Sequence, residues 1–412
     1  MKKLGFLHIT DLHTGGDTEP VGDVKDVSVS PYLRRELSQT TQEVFFRTAQ
    51  SLLHGFSLDA ILCTGDLGQG RERGSTTAGA KFLARLADRL GVPATKVIVV
   101  PGNHDVDRTA SKGRELAEFS SACEAQGFVF PSGATPVCMK VGSVPILGLN
   151  SCIGGGEKAL HGMPEDFWDS VRCWMAKTEE DSLLAGRTDV PEAFKHALQA
   201  MDIPAVGVSQ MGLALDLLEH AQGNCLIVLA HHAPLPTPNV EVRPYAFLVD
   251  SGPVLHQLMN GGRRVLFFHG HSHCHSTLLA SPPDSEPHAF AVSLGARGLH
   301  GPYAEVFYVC LLVGDLGDFL MASVTRFEMQ GSVFRQQKVC VVEDPKPSST
   351  RSGIDFARLP PDTIYPFSSV AERLGVPADE NLAESLARAC STRRIELLNI
   401  DGALEDWEVR VP

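Results

Sequence analysis

Five clusters of side chains able to hold metal ions or move protons are spread along this 412-residue chain. The first, Asp11-Leu12-His13, closes an apolar run. If the strand continues, positions two apart share a face, so carboxylate and imidazole converge on one cation. In Thr64-Gly65-Asp66-Leu67, the glycine lets the backbone turn sharply and presents Asp66, whose two oxygens can bridge two cations. Pro101-Gly102-Asn103-His104-Asp105 offers a neutral carbonyl oxygen from Asn103. It also offers an imidazole, His104, that can protonate a leaving oxygen or hydrogen-bond a phosphate. Asp105 is expected beside it, orienting His104 or another ligand as part of the catalytic group. Of the adjacent pair His231-His232, the first is assigned to metal, and the second is its rival or touches substrate. In His269-Gly270-His271-Ser272-His273, the last two imidazoles can reach two different cations, and Gly270 leaves room for the turn.

Each cluster alone has a plainer reading, such as an Asp capping a helix or an Asn-Gly turn. The elements that must carry them argue otherwise. Apolar runs at residues 4–9, 60–63, 96–100, 145–149, 225–230 and 265–268 read as strands, and residues 42–53, 78–90 and 210–220 as amphipathic helices. This alternation predicts an α/β fold with a buried sheet, and each run stops just before a cluster of Asp, His, Asn and Gly. The clusters would therefore gather at the carboxyl ends of the strands, where open α/β sheets bind ligands. Beyond Pro287 the pattern becomes extended at 289–294, 306–313, 319–327 and 332–341, which predicts antiparallel strands completing a second sheet. Residues 158–204, with Trp168 and Trp174 read as local packing, form an expected helical insertion. The expected organisation is a catalytic domain over 1–340, a Pro- and Ser-rich linker over 341–365 and a small module of unread role over 366–412.

In motif order and style (ITDLH, TGDL, PGNHD, HHAP, GHSH) the chain resembles the calcineurin-like metallophosphoesterases over residues 4–340. Their series is D-x-H, G-D, G-N-H-[DE], H and G-H-x-H. Within that superfamily the style is similar to the branch holding bacterial cyclic-nucleotide and other phosphodiesterases. The resemblance implies a two-sheet β-sandwich flanked by helices. It also implies one metal held by Asp11, His13, Asp66 and His273, and a second held by Asp66, Asn103, His231 and His271, with Asp66 bridging. His104 would steady the phosphate or protonate the leaving oxygen. One departure is Ala233 after the paired histidines, where a Pro-Pro pair is common, and it leaves His231 and His232 in competition.

Two divalent cations can hold a bridging hydroxide at neutral pH and clamp phosphoryl oxygens, so no covalent nucleophile is required. Accordingly, the chain has no G-x-S-x-G elbow, Walker A loop or Rossmann glycine fingerprint. The His, Asp and Asn set suits Mn, Fe, Zn or Co. The expected activity is hydrolysis of a small nucleotide-like or similar phosphodiester; a phosphomonoesterase, a nuclease and an inactive binding scaffold are the alternatives. A scaffold would be free to lose ligands, and this chain has kept them all. The net charge of −13 argues against duplex nucleic acid, whose binding needs Lys and Arg to neutralise phosphates. With no apolar run long enough to span a membrane and polar residues where a signal peptide would be apolar, a cytoplasmic location is expected, with no membrane partner. The sequence identifies no protein partner. Ten scattered cysteines read as reduced core residues, including Cys274, which as a metal ligand is the lesser reading. Arg297 and His300, in a Gly-rich stretch, are candidate phosphate contacts, whereas Asn150-Ser151 reads as a strand-end turn.

Overall fold

The computed structural model describes residues 1–14, 49, 53, 56–69, 74–107, 114–152, 177, 204–221, 223–237, 247–281, 289–299, 303–314, 316–330, 333–343, 359–361, 363–390 and 395–411. In chain order the main strands are β1 (Lys2–Ile9), β2 (Ala60–Cys63), β3 (Val97–Val99), β4 (Val137–Val141), β5 (Val144–Gly148), β6 (Cys225–Leu229), β7 (Arg264–His269), β8 (Ser276–Ala280), β9 (Phe290–Gly295), β10 (Tyr303–Val313), β11 (Phe319–Gln330) and β12 (Val333–Glu343). Between them lie helices α1 (Ser75–Arg89), α2 (Ala117–Gln126), α3 (Val208–Leu218) and α4 (Ser251–Met259).

Period-two alternation gives each central strand two apolar faces. Along β1, Leu4 and Phe6 face the interior between two sheets, while Leu7 and Ile9 face helices on the outside. One six-stranded sheet runs β12-β11-β10-β1-β2-β3 and the other β4-β5-β6-β7-β9-β8. Phe82, Leu83 and Leu86 of α1 and Phe119 of α2 cover the outer face of the first. Met211 and Leu218 of α3 with Val254 and Leu258 of α4 cover that of the second. The result is a helix, sheet, sheet, helix sandwich.

The expectation that the strands after Pro287 build the second sheet is corrected. β9 instead joins β7 in parallel, and β10, β11 and β12 extend the sheet of β1 in antiparallel fashion. The early strands divide between the two sheets. An apolar run specifies burial on both faces but not its neighbour, so its sheet is settled only by long-range pairing. This division has a consequence for the site, because the carboxyl ends of β1, β2 and β3 now face those of β6 and β7 along one rim of the sandwich.

Helix 78–90 begins three residues earlier, at Ser75, and helix 210–220 is observed at Val208–Leu218. Of the expected helix 42–53, only residues 49 and 53 are described; the body of the 158–204 insertion, with Trp168 and Trp174, lies outside the described residues. Strands β4 and β8 and helices α2 and α4 were not anticipated.

Both ends of the expected linker are strand. β12 runs to Glu343 and β13 (Thr363–Pro366) opens the C-terminal module, with residues 344–358 outside the described set. The module continues with α5 (Phe367–Leu374), α6 (Glu380–Cys390), β14 (Glu396–Leu398) and β15 (Glu408–Val411), its strands ordered β13-β15-β14. It shares a core with the first sheet, where Val370, Leu386, Trp407 and Val409 belong to the same apolar cluster as Tyr308, Leu312 and Phe327. Lys3 Nζ donates to the carbonyls of Asp401 and Gly402, and Thr325 Oγ1 to Asp401 Oδ2 at 3.4 Å. Trp407 is fully enclosed, so Trp407→Ala should cost about 3–5 kcal/mol and lower the urea midpoint in proportion. An unchanged midpoint would mean that the module contributes nothing to the stability of the sandwich.

Candidate metal centre

At the rim the backbone does something that sequence alternation does not foresee. Among the described non-glycine residues, six have left-handed φ, and five of these are Asp11 (49°), His13 (42°), Asp66 (52°), His271 (67°) and His273 (48°). The expected route by which Asp11 and His13 converge, a continuing extended strand, is therefore corrected, because β1 ends at Ile9 and the chain coils. Such residues cost of order 1–3 kcal/mol each and persist only where their surroundings over-determine them. Those surroundings are visible. Asp11 N–H donates to Gly65 O at 3.0 Å, His13 N–H to Asp66 O at 3.0 Å, Leu299 N–H to Asp11 O at 3.1 Å and Gly270 N–H to His231 O at 3.0 Å. Two glycines permit the close approach. A Cβ on Gly102 would collide with Asp66 Oδ1, and one on Gly270 with Thr10 Oγ1 and Asp11 Oδ2.

Asp105 does not reach for the His104 ring. Its Oδ2 accepts from Gly102 N at 2.9 Å and Leu67 N at 3.2 Å, and its Oδ1 from Gly68 N at 3.1 Å and Thr76 Oγ1 at 3.3 Å. Burial, with the nearby Asp66 charge, pushes its carboxyl up to about 7 against the pull of those amides. Asp105 is thus a positioning residue that clamps the Asp66 turn, which narrows the expectation that it belongs to the catalytic group. Losing such a partner typically weakens metal affinity 10–100-fold. We expect about that loss for Asp105→Ala in competition with a chelator, and affinity equal to the unsubstituted protein would refute the clamp.

Two groups of ligand atoms converge, and Asp66 stands in both. In one, Asn103 Oδ1 lies 2.9 Å from His231 Nε2 and 3.0 Å from His271 Nδ1, the two nitrogens being 3.2 Å apart. Asp66 Oδ2 is 3.4 Å from the same His231 nitrogen. In the other, His13 Nε2 lies 3.8 Å from Asp11 Oδ1 and 3.7 Å from Asp66 Oδ2. Ligand atoms of Asp11, His13 and His273 lie within 4.8 Å of one another.

Divalent cations fit this arrangement, and His231 shows why. Its Nδ1 lies 2.8 Å from the carbonyl of Thr64, which can only accept, so Nδ1 carries a proton, and the neutral ring that ligation requires would present its lone pair at Nε2. That lone pair faces the oxygen of Asn103, a carboxylate oxygen and another imidazole nitrogen, a convergence of electron pairs that repels until a positive charge lies among them. Burial, reinforced by His231, pushes His271 down to about 3, which keeps its imidazole neutral and able to ligate. Burial and the neighbouring Asp66 charge raise Asp11 well above the usual carboxylate range. Burial would raise Asp66 too, yet the imidazoles of His231, His104 and His13 together carry it below that range. The first direction reflects two buried carboxylates crowded together, the second the imidazoles gathered around Asp66.

His104 stands at the edge of the group that holds His13, its ring 4.9 Å from that of His13 and its backbone N–H donating to Asp66 Oδ1 at 2.8 Å. His232 packs beside the group that holds His271, 4.3 Å ring to ring from that residue. The Arg297 guanidinium lies 3.8 Å from Glu328, and the Arg297 N–H donates to Glu305. His300 lies outside the described residues. Cys274 belongs to no ligand group among the described residues; its thiol donates to Ser272 Oγ at 3.0 Å.

Sequence reading passed over the floor of the site. His8 Nε2 meets Thr64 Oγ1 at 2.9 Å and His269 Nε2 meets Ser293 Oγ at 3.0 Å, both rings buried. Burial pushes them down to about 3 and about 4, so both are neutral. The signal was a histidine inside an apolar strand run in each case. Ser151, read as part of a turn, bonds the His232 ring.

A profile described as calcineurin-like phosphoesterase matches residues 4–275. No curated protein sequence matches the chain. Among solved structures, a dimetal phosphatase from Danio rerio is similar at 12% identity and TM-score 0.46, covering 82% of this chain and 99% of that one. A putative 5'-nucleotidase from Staphylococcus aureus is similar at 11% identity and TM-score 0.41, covering 84% of this chain and 55% of that one. NAD nucleotidase from Haemophilus influenzae follows at 11% identity and TM-score 0.33, covering 83% and 50%. This chain spans about half the length of those two nucleotidase chains.

Proposed function

The chain belongs to the calcineurin-like phosphoesterase family, metal-dependent hydrolases of phosphate esters, and from that premise we propose that it hydrolyses a small, nucleotide-like phosphodiester. The observation that carries this reading is the presence of Asp66 in both ligand groups, one completed by Asp11, His13 and His273 and the other by Asn103, His231 and His271. These residues would hold two divalent cations of the Mn, Fe, Zn or Co class. When bound, the cations supply an activated water nucleophile at neutral pH and neutralise phosphoryl charge. The protein's part is to hold the ligands in place, to orient His231 through the Thr64 carbonyl, to keep His271 a neutral donor, and to offer His104 as the proton source for the leaving oxygen.

The charge of the site favours a diester. Among the described residues, the groups whose charges act on Asp11, Asp66 and His271 are carboxylates and imidazoles, while the Arg297 guanidinium is directed to Glu328. A doubly charged monoester would gain from a guanidinium fork, whereas a singly charged diester has less need of one. Arg297 as a direct phosphate contact is thus the weaker part of the site. We further propose that residues 1–340 carry the hydrolytic chemistry and that the module from 366 onward stabilises the sheet that holds Asp11. No helix among the described residues is long and apolar enough to cross a membrane.

The test compares bis-p-nitrophenyl phosphate with p-nitrophenyl phosphate after manganese loading. The diester should give the higher kcat/KM. Preference for the monoester would make the chain a phosphatase instead.

A further inference from the structure

Ser151 and His232 decide which of the paired histidines can ligate. Ser151 Oγ accepts the backbone N–H of His232 at 3.2 Å and lies 3.0 Å from Nδ1 of the same residue. Both residues are fully buried. A hydroxyl has one proton to give, and a buried one is given to an acceptor. Among the described residues, the acceptor that Ser151 Oγ meets is His232 Nδ1. That nitrogen therefore bears the lone pair, and the proton of the neutral ring sits on Nε2. His231 is oriented the other way, since its Nδ1–H donates to the Thr64 carbonyl, which leaves Nε2 as the nitrogen a neutral ring would offer to a cation. Two neighbouring histidines on one strand end are thus set to opposite duties by one hydroxyl and one carbonyl.

We propose that Ser151 is a positioning residue that locks His232 as an Nε2–H donor, which excludes it from metal ligation and makes it a binding contact for an anionic phosphoryl oxygen at the second metal position. This rests on the metal-centre reading above. The placement suits the role, because the ring nitrogens of His231, His232 and His271 that could share an ion lie within 4.8 Å of one another and the His232 ring is 4.9 Å from that of His231. With Nδ1 bonded to Ser151, the ring proton of His232 sits on Nε2, in a ring beside a cluster of electron-pair donors. A donor shielded from bulk water bonds an anion more strongly than one in solvent.

The tautomer can be read in the unsubstituted protein, uniformly 15N-labelled and loaded with 113Cd. The His231 and His271 rings should show scalar coupling to cadmium, and His232 none. His232 should have a bare-imine shift at Nδ1 and a protonated shift at Nε2. Coupling of His232 to cadmium, or a proton on its Nδ1, overturns the inference. Failure of the protein to bind cadmium at all would instead overturn the metal-centre reading, so the two failures are distinguishable. In variants, Ser151→Ala and His232→Ala should keep two cations per chain while inorganic phosphate binds the metal-loaded protein about tenfold more weakly, as for loss of a hydrogen bond to a charged group. Loss of one cation per chain from folded His232→Ala, or unchanged phosphate affinity in both variants, would sink the proposal.

Discussion

Replacing Asp66 by alanine is expected to leave a folded protein that retains neither of its two cations and has no measurable metal-dependent turnover. The reason is topological as well as chemical. Asp66 Oδ2 lies 3.7 Å from His13 and 3.4 Å from His231, so one carboxylate belongs to both ligand groups, and its loss weakens both at once. A bound cation is worth several kcal/mol to a phosphoryl transition state, which corresponds to a rate loss of about a thousandfold or more. Folding should survive, because the turn is held mainly through main-chain atoms and Asp105, which bonds Leu67, Gly68 and Gly102 rather than the Asp66 side chain. Relief of crowding also helps, since the Asp66 charge pushes up both Asp11 and Asp105. Cation content by elemental analysis, circular dichroism and turnover of a chromogenic diester check the three parts. A variant that kept two tightly held cations and its activity would remove Asp66 from the bridge and with it the reading of the site.

Much of this centre was legible because metal ligation restricts residue type more sharply than packing does. A core position accepts several apolar residues, but a cation at neutral pH needs carboxylates, neutral imidazoles or amide oxygens, so the ligands stand out in sequence even where the fold does not. Asn103 and His271 are separated by 168 positions yet meet at 3.0 Å, and what predicted this was chemistry of type combined with strand ends. What stayed hidden depends on backbone and neighbours. The convergence of Asp11 and His13 relies on left-handed residues that no propensity assigns to Asp or His with confidence enough to anticipate a coil there. The partition of strands between two sheets was invisible because Ile, Val and Leu runs such as β6 and β7 carry no partner label. Ser151 looked like any strand-end turn residue until its oxygen was found between the amide and the ring of one histidine. Likewise the C-terminal module reads as an appendage in sequence. Its docking onto the first sheet depends on Lys3 and Cys310 meeting backbone carbonyls at Asp401, Gly402 and Ile400, contacts that span 90 residues or more.

His104→Ala should have the opposite profile to Asp66→Ala, with cations retained and chemistry slowed. The contact that ties His104 to Asp66 is made by its backbone N–H to Asp66 Oδ1, and alanine preserves it. Only the imidazole is removed, edge-on to His13 at 4.9 Å between ring centres. A positioned proton donor contributes about 10²- to 10⁴-fold, so kcat should fall by that order while the cation content stays at two per chain. The leaving group then separates the two duties an imidazole can have here. If His104 protonates the departing oxygen, diesters with alkyl leaving groups will suffer far more than p-nitrophenyl esters, because p-nitrophenolate departs without needing a proton. If it steadies the phosphate by hydrogen bonding, both classes will slow alike and phosphate inhibition will weaken with them. A rate equal to that of the unsubstituted protein on both classes would take His104 off the catalytic list. Loss of a cation would instead make it a ligand, since its ring nitrogen lies within 4.8 Å of ligand atoms on His13 and Asp66.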